Sequence, residues 1–538
     1  MKNIFTQMTK RMGFLMTILF VLNSAQAQVR IDWQQCYGSF SHDYGHNIIQ
    51  TSGGFLIFGS VHSDPNSGMY HCGSNISYRA NWLFEIDNEL NVIGQSCYEL
   101  SPHVSFHKAL SSKYYITGLL RNNQMIFNTD IRQIDAEGNT LWQKNLGTPL
   151  GALCSSSQAL GLATNDGGVI AAANYETQGG DITHSWGECD CWLVKLDSMG
   201  NKLWDLTLGT EGDDYLYSLK KATVGGCYVG LYSSLAGAGN IVCNGGHGSV
   251  LCKVDAAGQL EWNFCFKGIN IRDVLELEDG YLLAGDSAFA ELGGNCHDGI
   301  TSYDCCLLKC DLEGNVVWRR SYGGSCNEFV KKVFRNEDGG YTVFVNSKSS
   351  DGDLASAANL GVTGDEKGNI WVFRVDSTGN LLWERCIGSQ LGLWEEVSDV
   401  IMHNDKEYTL VGLTTWFEGE ASGDVSCTNN SLLPQSSTNI WLLHITDIYD
   451  YDEIIESPDE RQVFSVIPNP ALRQFSIVGK DVKQVALFNP MGQSVLKTNC
   501  DDNSNRVLIN VQDVKPGIYF VRVSDSQGSQ STQKVILE

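Results

Sequence analysis

The sequence predicts an all-β protein, a seven-bladed β-propeller followed by a small Ig-like β-sandwich. Three observations lead there. A phrase made of an acidic residue, a Gly-Asn turn and a tryptophan recurs along most of the chain. The two ends of this array are complementary fragments of one repeat. Beyond them, an acidic stretch sets off a shorter segment with strands of its own.

The phrase reads Asp135-Ala-Glu-Gly-Asn-Thr-Leu-Trp142, then Asp197 to Trp204, Asp255 to Trp262, Asp311 to Trp318 and Asp376 to Trp383, with a worn copy at Asp87 to Gly94. Alternating apolar residues on both sides of a Gly/Asn turn are the pattern of a β-hairpin. The copies lie roughly 50 to 65 residues apart, a period that suits a propeller or solenoid of small sheets. A chain of 538 residues is too long for one compact core. Its 56 glycines, 9 prolines, 13 tryptophans and 20 tyrosines favour a turn-rich β protein over disorder. The formal charge of −25 repels phosphate and argues against nucleic acid or an anionic membrane as partner.

At the N-terminus, Lys2, Lys10 and Arg11 precede an apolar run from Gly13 to Leu22, and Ala25-Gln26-Ala27 supplies small residues. This is the layout of a secretory signal peptide over residues 1–27, cleaved between Ala27 and Gln28. The run is short for a membrane span, and no transmembrane segment follows it. Export makes disulfides permissible for the 18 cysteines, although their connectivity cannot be read from sequence. Zinc is the alternative at Cys189-Asp-Cys191 and Cys305-Cys306…Cys310, but neither has zinc-site spacing.

The propeller is expected over residues 28–447. Ile31 to Gly38 matches the strand after each Gly-Asn turn, as in Leu382 to Gly388, yet has no hairpin partner before it. Asn439 to Thr446 is a pre-turn strand with no Trp strand after it. The N-terminal strand therefore closes the last blade, and no sheet edge is left bare. Hairpins opening near Ser52, Ser112, Asp166, Gly225, Asp279, Asp338 and Asp405 count seven blades. The short hairpins fall on one face. The inter-blade loops and the long loops near 62–80, 176–190, 236–248, 287–303, 349–369 and 416–438 fall on the other, where binding is expected. Residues 448–462 read as an acidic linker. Residues 463–538, with short strands such as Phe475 to Val478 and Gly517 to Val523, read as the β-sandwich.

This last domain resembles the C-terminal (type A) sorting domain of type IX secretion cargo in Bacteroidota. The matching residues are Pro468-Asn469-Pro470, the Val485 to Gln493 turn with Gly492, the Val514 to Val521 segment with Gly517 and Tyr519, and the strand that begins at Lys534. The resemblance implies the type IX machinery as partner through residues 463–538. It also implies passage through the periplasm and a final place outside the cell or attached to the outer-membrane surface. The repeat array resembles those often joined to such domains, most of which lack an assigned activity.

Candidate chemistry is sparse. Ser41-His-Asp43-Tyr-Gly45 opens like a sialidase Asp-box but lacks its later Thr and aromatic, and it reads as an inter-blade turn. The acidic Gly turns at Asp181, Asp351-Gly-Asp353 and Asp424 read as Asx turns, with calcium, which needs six or more oxygens, as the lesser alternative. No other cofactor is implied. Paired acids occur at Asp213/Asp214, Glu395/Glu396 and Glu418/Glu420, but sequence cannot show the fixed carboxyl separation a glycosidase needs. There is no Gly-x-Ser-x-Gly elbow or His-Glu-x-x-His helix, and no catalytic or metal-ligating residue is assigned. The repeated tryptophans 33, 142, 204, 262, 318 and 383 are expected to pack between blades. Trp186, Trp394 and Trp416 sit in or beside the long-loop segments and are the ligand-contact candidates. The preferred reading is a non-catalytic binder of a glycan or protein. The alternatives are a carbohydrate-active hydrolase or lyase with an acidic site on the long-loop face, and a structural cell-surface component.

Overall fold

The computed structural model describes residues 29–38, 42–61, 80–98, 104–109, 112–121, 127–148, 154, 158–235, 239–243, 248–287, 303–354, 368–389, 394–416, 423–426, 437–448, 465–467, 473–478, 482–489, 494–500, 506–512, 514–525 and 530–537. The signal peptide, with Ala27 and Gln28, lies outside them, as does most of the acidic linker. Among the described residues every regular element is a strand. The chain divides into two compact units, Met1–Ile448 and Tyr449–Glu538.

The first unit opens with β1 (Val29–Tyr37) and continues as sheet I, made of β2 (Tyr44–Gln50), β3 (Gly54–Val61), β4 (Ala80–Asp87) and β5 (Val92–Tyr98). Sheet II holds β6 (Val104–Lys108), β7 (Tyr114–Arg121), β8 (Phe127–Ile134) and β9 (Thr140–Leu146). Sheet III holds β10 (Ala159–Ala163), β11 (Val169–Tyr175), β12 (Asp190–Leu196) and β13 (Lys202–Leu208). Sheet IV holds β14 (Asp214–Lys221), β15 (Cys227–Ser233), β16 (Gly248–Val254) and β17 (Leu260–Phe266). Sheet V holds β18 (Asn270–Leu277), β19 (Gly280–Ser287), β20 (Asp304–Cys310) and β21 (Val316–Tyr322). Sheet VI holds β22 (Glu328–Arg335), β23 (Tyr341–Ser347), β24 (Asn369–Val375) and β25 (Leu381–Ile387). Sheet VII joins β26 (Glu395–Asn404), β27 (Glu407–Trp416) and β28 (Ser437–Asp447) to β1. All pairings are antiparallel. In the β1–β28 pair, Val29 stands opposite Asp447 and Tyr37 opposite Ile440. The first strands touch in the order β2, β6, β10, β14, β18, β22, β26, and β26 touches β2. This is a propeller-like arrangement of sheets.

Burial follows from position in the sheet. The second and third strands, such as β11, β12, β23 and β24, are buried along their whole length. That is the expected fate of short, continuously apolar runs covered on both faces. The fourth strands carry the exposed residues, and a bulge leaves Leu141, Leu203 and Val317, each just before a tryptophan, and Ile93, just before Gly94, at the surface.

The Gly-Asn phrase is one turn repeated. Gly138, Gly200, Gly258, Gly314 and Gly379 all have φ between 80° and 84°, a region that disfavours side chains. In the worn copy Leu90 occupies it at φ 66°. The leading aspartate accepts the backbone N–H of the Asn four residues on, at 2.7 Å in Asp135–Asn139 and 2.8 Å in Asp197–Asn201. The tryptophan then reaches the following sheet. Trp142 Nε1 donates to Ser198 O (3.0 Å) and Trp204 Nε1 to Ala256 O (3.1 Å). A Cβ on Gly200 would lie 3.0 Å from the Trp142 ring, and one on Gly258 2.5 Å from Trp204. Glycine is thus needed for its conformation and for the ring that covers it.

Hydrogen bonds link the first strands in the same order as the contacts. Phe106 N–H donates to Asn47 Oδ1 (3.2 Å), and Gly161 N–H to Ser105 Oγ (3.1 Å). Gln158 Nε2 donates to Leu216 O (2.8 Å), and Ser218 Oγ to Ile271 O (2.9 Å). Two relays complete the series. Lys220 pairs with Asp273 (2.6 Å), which also accepts Val333 N–H (3.0 Å). Lys332 pairs with Asp399 (3.0 Å), which accepts Ile48 N–H (3.3 Å). In each relay one aspartate joins three successive sheets.

In the second unit, β29 (Ser465–Ile467), β30 (Gln474–Val478) and β33 (Arg506–Asn510) form one sheet. The other is ordered β32-β31-β34-β35, from β31 (Val482–Phe488), β32 (Ser494–Asn499), β34 (Gly517–Asp525) and β35 (Gln530–Leu537). Phe475, Ile477 and Ile509 from the first sheet share a core with Val485, Leu487, Val521 and Val535 from the second.

Candidate functional site: sheet junctions on the long-loop face

At four places where a fourth strand hands over to the next sheet, a glycine lies beneath two polar side chains. At Gly209 they are Asp190, which opens β12, and Asp214, which opens β14. A Cβ there would fall 1.9 Å from Asp190 Oδ1 and 3.3 Å from Asp214 Oδ2. At Gly323 the pair is Asp304 and Glu328, 3.1 and 2.4 Å from the same point. Asn369 and Glu395 meet over Gly388 at 1.9 and 3.2 Å, and Asn439 and Asp43 over Gly38 at 3.0 and 2.5 Å. The backbone repeats with them. Asp214 N–H donates to Cys189 O (2.6 Å), Glu328 N–H to Tyr303 O (2.6 Å), Glu395 N–H to Gly368 O (3.0 Å) and Asp43 N–H to Thr438 O (2.9 Å). The Asp-box-like stretch is therefore one more junction.

The acidic Gly turns of the long loops clamp glycines at this handover, Gly147 after β9 included. Asp181 donates its N–H to Gly147 O (3.0 Å), and its carboxylate accepts Gly147 N–H (3.1 Å). Asp353 does this to Gly323 at 2.9 and 3.0 Å, and Asp424 to Gly388 at 2.9 and 3.4 Å. Asn240 does it to Gly209 at 3.2 and 3.1 Å. Asp351 accepts the Ser325 N–H at 2.7 Å. Oxygens that could have faced a calcium ion are engaged with the backbone, and among the described residues no cluster of three or more His, Cys, Asp or Glu is placed to hold a metal.

Burial governs the electrostatics. Asp43, Asp214, Glu328 and Glu395 have no exposed surface, and Asp190 and Asp304 almost none. Loss of water pushes Asp214 and Asp304 up to about 6, and Glu328 and Glu395 up to about 7. Asp190 is raised for the same reason. The adjacent acids are split by strand alternation, with Asp214 and Glu395 inside and Asp213 and Glu396 partly exposed. Glu418 and Glu420 lie outside the described residues.

The three loop tryptophans fall on two sheets. Trp186 precedes β12, is 38% exposed, and is fixed by its N–H to Asp190 Oδ2 (2.7 Å), its Nε1 to Thr207 O (3.2 Å) and the His184 ring set edge-on at 4.3 Å. Trp394 precedes β26, is 40% exposed, and donates Nε1 to Glu396 (2.6 Å). Its carbonyl accepts the N–H of Thr415 (3.0 Å), so the backbone of Trp416, which ends β27 opposite Ser437, lies one residue away. The loop carrying Trp186 is described throughout and is tied by the Cys154–Cys189 disulfide. A second disulfide joins Cys243 to Cys265. Cys191, Cys305 and Cys310 are buried thiols, and burial pushes Cys310 up to about 11. Sequence reading missed the Asp or Asn near the start of third strands such as β4, β12, β20, β24 and β28, and the two Lys–Asp relays. The recurrence of Asn81, Asp190, Asp304, Asn369 and Asn439 at one strand position was the available signal.

In the second unit Gly517 has φ +153° and pairs with Leu537, Tyr519 Oη donates to Lys515 O (2.9 Å), and Lys534 stands opposite Phe520 in the ladder. Pro468, Asn469, Pro470 and Gly492 lie outside the described residues.

Residues 465–538 match the family model for a secretion system C-terminal sorting domain. The sorting domain implies export, an interaction with the type IX machinery, and a secreted or outer-membrane surface location. Among the described residues no helix is long and apolar enough to cross a membrane. No curated protein matches the chain. Similar solved structures include the plexin A4 extracellular region, at 8% identity and TM-score 0.38 over 93% of this chain and 67% of that one. A DUF4221 family member from Bacteroides vulgatus matches at 8% and 0.33 over 78% of this chain and 98% of that one. Synechocystis apocarotenoid oxygenase matches at 10% and 0.32 over 67% of this chain and 93% of that one. These scores are too low to assign the first unit to any of the three families.

The junctions are stringent about glycine. Gly388→Ala forces a methyl group onto Asn369 and is expected to cost about 1–3 kcal/mol. Gly94→Ala, whose Cβ would meet nothing within 4 Å, is the control and should be near neutral. Urea unfolding of both variants checks this, and equal midpoints would refute it.

Proposed function

We propose that the chain is an exported, non-catalytic, seven-bladed β-propeller, closed by its N-terminal strand and joined to an Ig-like sorting domain. It binds a glycan or protein through the long-loop face. The observation that carries the export half is the sorting-domain match over residues 465–538. Closure is supported by the β1–β28 ladder and by the Asp399–Ile48 bond between sheets VII and I. The non-catalytic reading is supported by where the acids lie, since Asp214, Glu328 and Glu395 are sealed from solvent. The binding reading is supported by Trp186, a half-exposed ring whose N–H groups are both engaged internally. Holding it rigid in advance lowers the ordering cost of binding.

Removing residues 463–538 is expected to leave the protein in the periplasm. Fractionation of the producing cells reads this directly, and normal release of the truncated chain would refute the sorting role. On glycan and protein arrays the full chain is expected to find a ligand whose affinity falls roughly tenfold or more in Trp186→Ala or Trp394→Ala. Undiminished binding by both variants would move the site elsewhere. A blank array would favour a structural surface component.

A further inference from the structure

The four junctions differ in one respect that their shared geometry makes informative. Over Gly388 and Gly38, the third-strand residue that meets a buried acid is an asparagine, Asn369 or Asn439. Over Gly209 and Gly323, the same position holds an aspartate, Asp190 or Asp304. The fold therefore places a neutral amide and a carboxyl in equivalent settings, each pressed on a glycine and facing a second carboxyl. Asp190 and Asp304 must behave like their neutral counterparts.

Among the described residues no lysine or arginine forms an ion pair with Asp190, Asp214, Asp304 or Glu328. The pair over Gly209 is faced by His184 from the loop before β12 and by the buried thiols Cys191 of β12 and Cys252 of β16. The pair over Gly323 is faced by Asp353 from the loop after β23 and by Cys305 of β20, a thiol that Asp286 of β19, already bound to Arg272, also approaches. Asp214 Oδ2 accepts Thr210 N–H (2.6 Å) and Glu328 Oε1 accepts Ser347 Oγ (2.7 Å), but Asp190 Oδ1 and Asp214 Oδ1 are buried with no hydrogen-bond partner. Two buried carboxylates this close, with no lysine or arginine paired to either, do not both stay ionised.

We propose that Asp190 with Asp214, and Asp304 with Glu328, each hold one proton between them, which fastens sheet III to IV and sheet V to VI and is released on alkalinisation. Each pair then titrates as a unit. The pKa values of Asp214, Asp304 and Glu328, raised by burial, agree with this. A carboxyl raised in the folded state stabilises fully below its unfolded value near 4, and that stability is lost as pH rises through about 6 to 7. The junctions are thus tight in mildly acidic surroundings and loosen above neutrality.

The test uses the full chain and the double variant Asp190→Asn/Asp304→Asn. The wild-type Tm should fall by on the order of 5 °C between pH 5 and pH 8, and the variant should match it at pH 5 but exceed it at pH 8. Parallel profiles, or a wild-type Tm that rises over this range, would overturn the proposal. Should the variant fold poorly, proton release on unfolding of the wild type gives an independent reading at pH 6. Release is expected because the folded chain holds the extra protons, and none released would count against it. Calcium chloride that restores the wild-type Tm at pH 8 would make the junctions cation sites and also overturn the proton assignment.

Discussion

Asp399 accepts a hydrogen bond from the amide of Ile48, a residue some 350 positions earlier in the chain. It also pairs with Lys332 from the preceding sheet. A four-stranded sheet of this kind has two apolar faces and cannot bury either alone, so each sheet must be covered by its neighbours. That constraint has an end problem in an open row, because the terminal sheets would each leave a face in water. The Asp399 relay and the β1–β28 ladder join the last sheet to the first, and they underlie the proposed ring. The other links, from Asn47–Phe106 to Asp273–Val333, repeat the same solution.

The scaffold was legible because its signals are local. The Asp-x-x-Gly-Asn-x-x-Trp phrase packs a turn conformation, two Asx hydrogen bonds and an inter-sheet contact into eight residues, so it survives as a repeated string. The split unit at the two ends was legible for the same reason, and β1 pairs with β28 as its pattern required. The junctions escaped because each draws on a glycine, a first-strand acid, a third-strand Asp or Asn and a loop residue from four separate stretches. None of these stands out singly. Strand alternation hid the rest, since Glu395 and Glu396 look alike in sequence and differ wholly in burial.

Seen together, the junctions give nine of the chain's 62 acidic residues a structural role. Asp43, Asp190, Asp214, Asp304, Glu328 and Glu395 serve the interior, and Asp181, Asp353 and Asp424 hold loop ends to glycines. The acidic Gly turns are therefore the means by which variable loops are fastened to an invariant frame. Variation remains where the frame does not need the residue, as at Trp186, whose ring is partly exposed while its backbone N–H is held by Asp190 and its Nε1 by Thr207 O. Export by the sorting domain suits a frame of this kind, which carries disulfides such as Cys154–Cys189 beside the same loops.

The central claim is that the N-terminal strand closes the ring. Hydrogen exchange on a chain lacking residues 28–38 tests it most directly. Closure requires that protection fall throughout β26, β27 and β28 and spread to β2 in sheet I. Exchange that rises only along the uncovered edge of β28, with β2 as protected as in the intact chain, would contradict it.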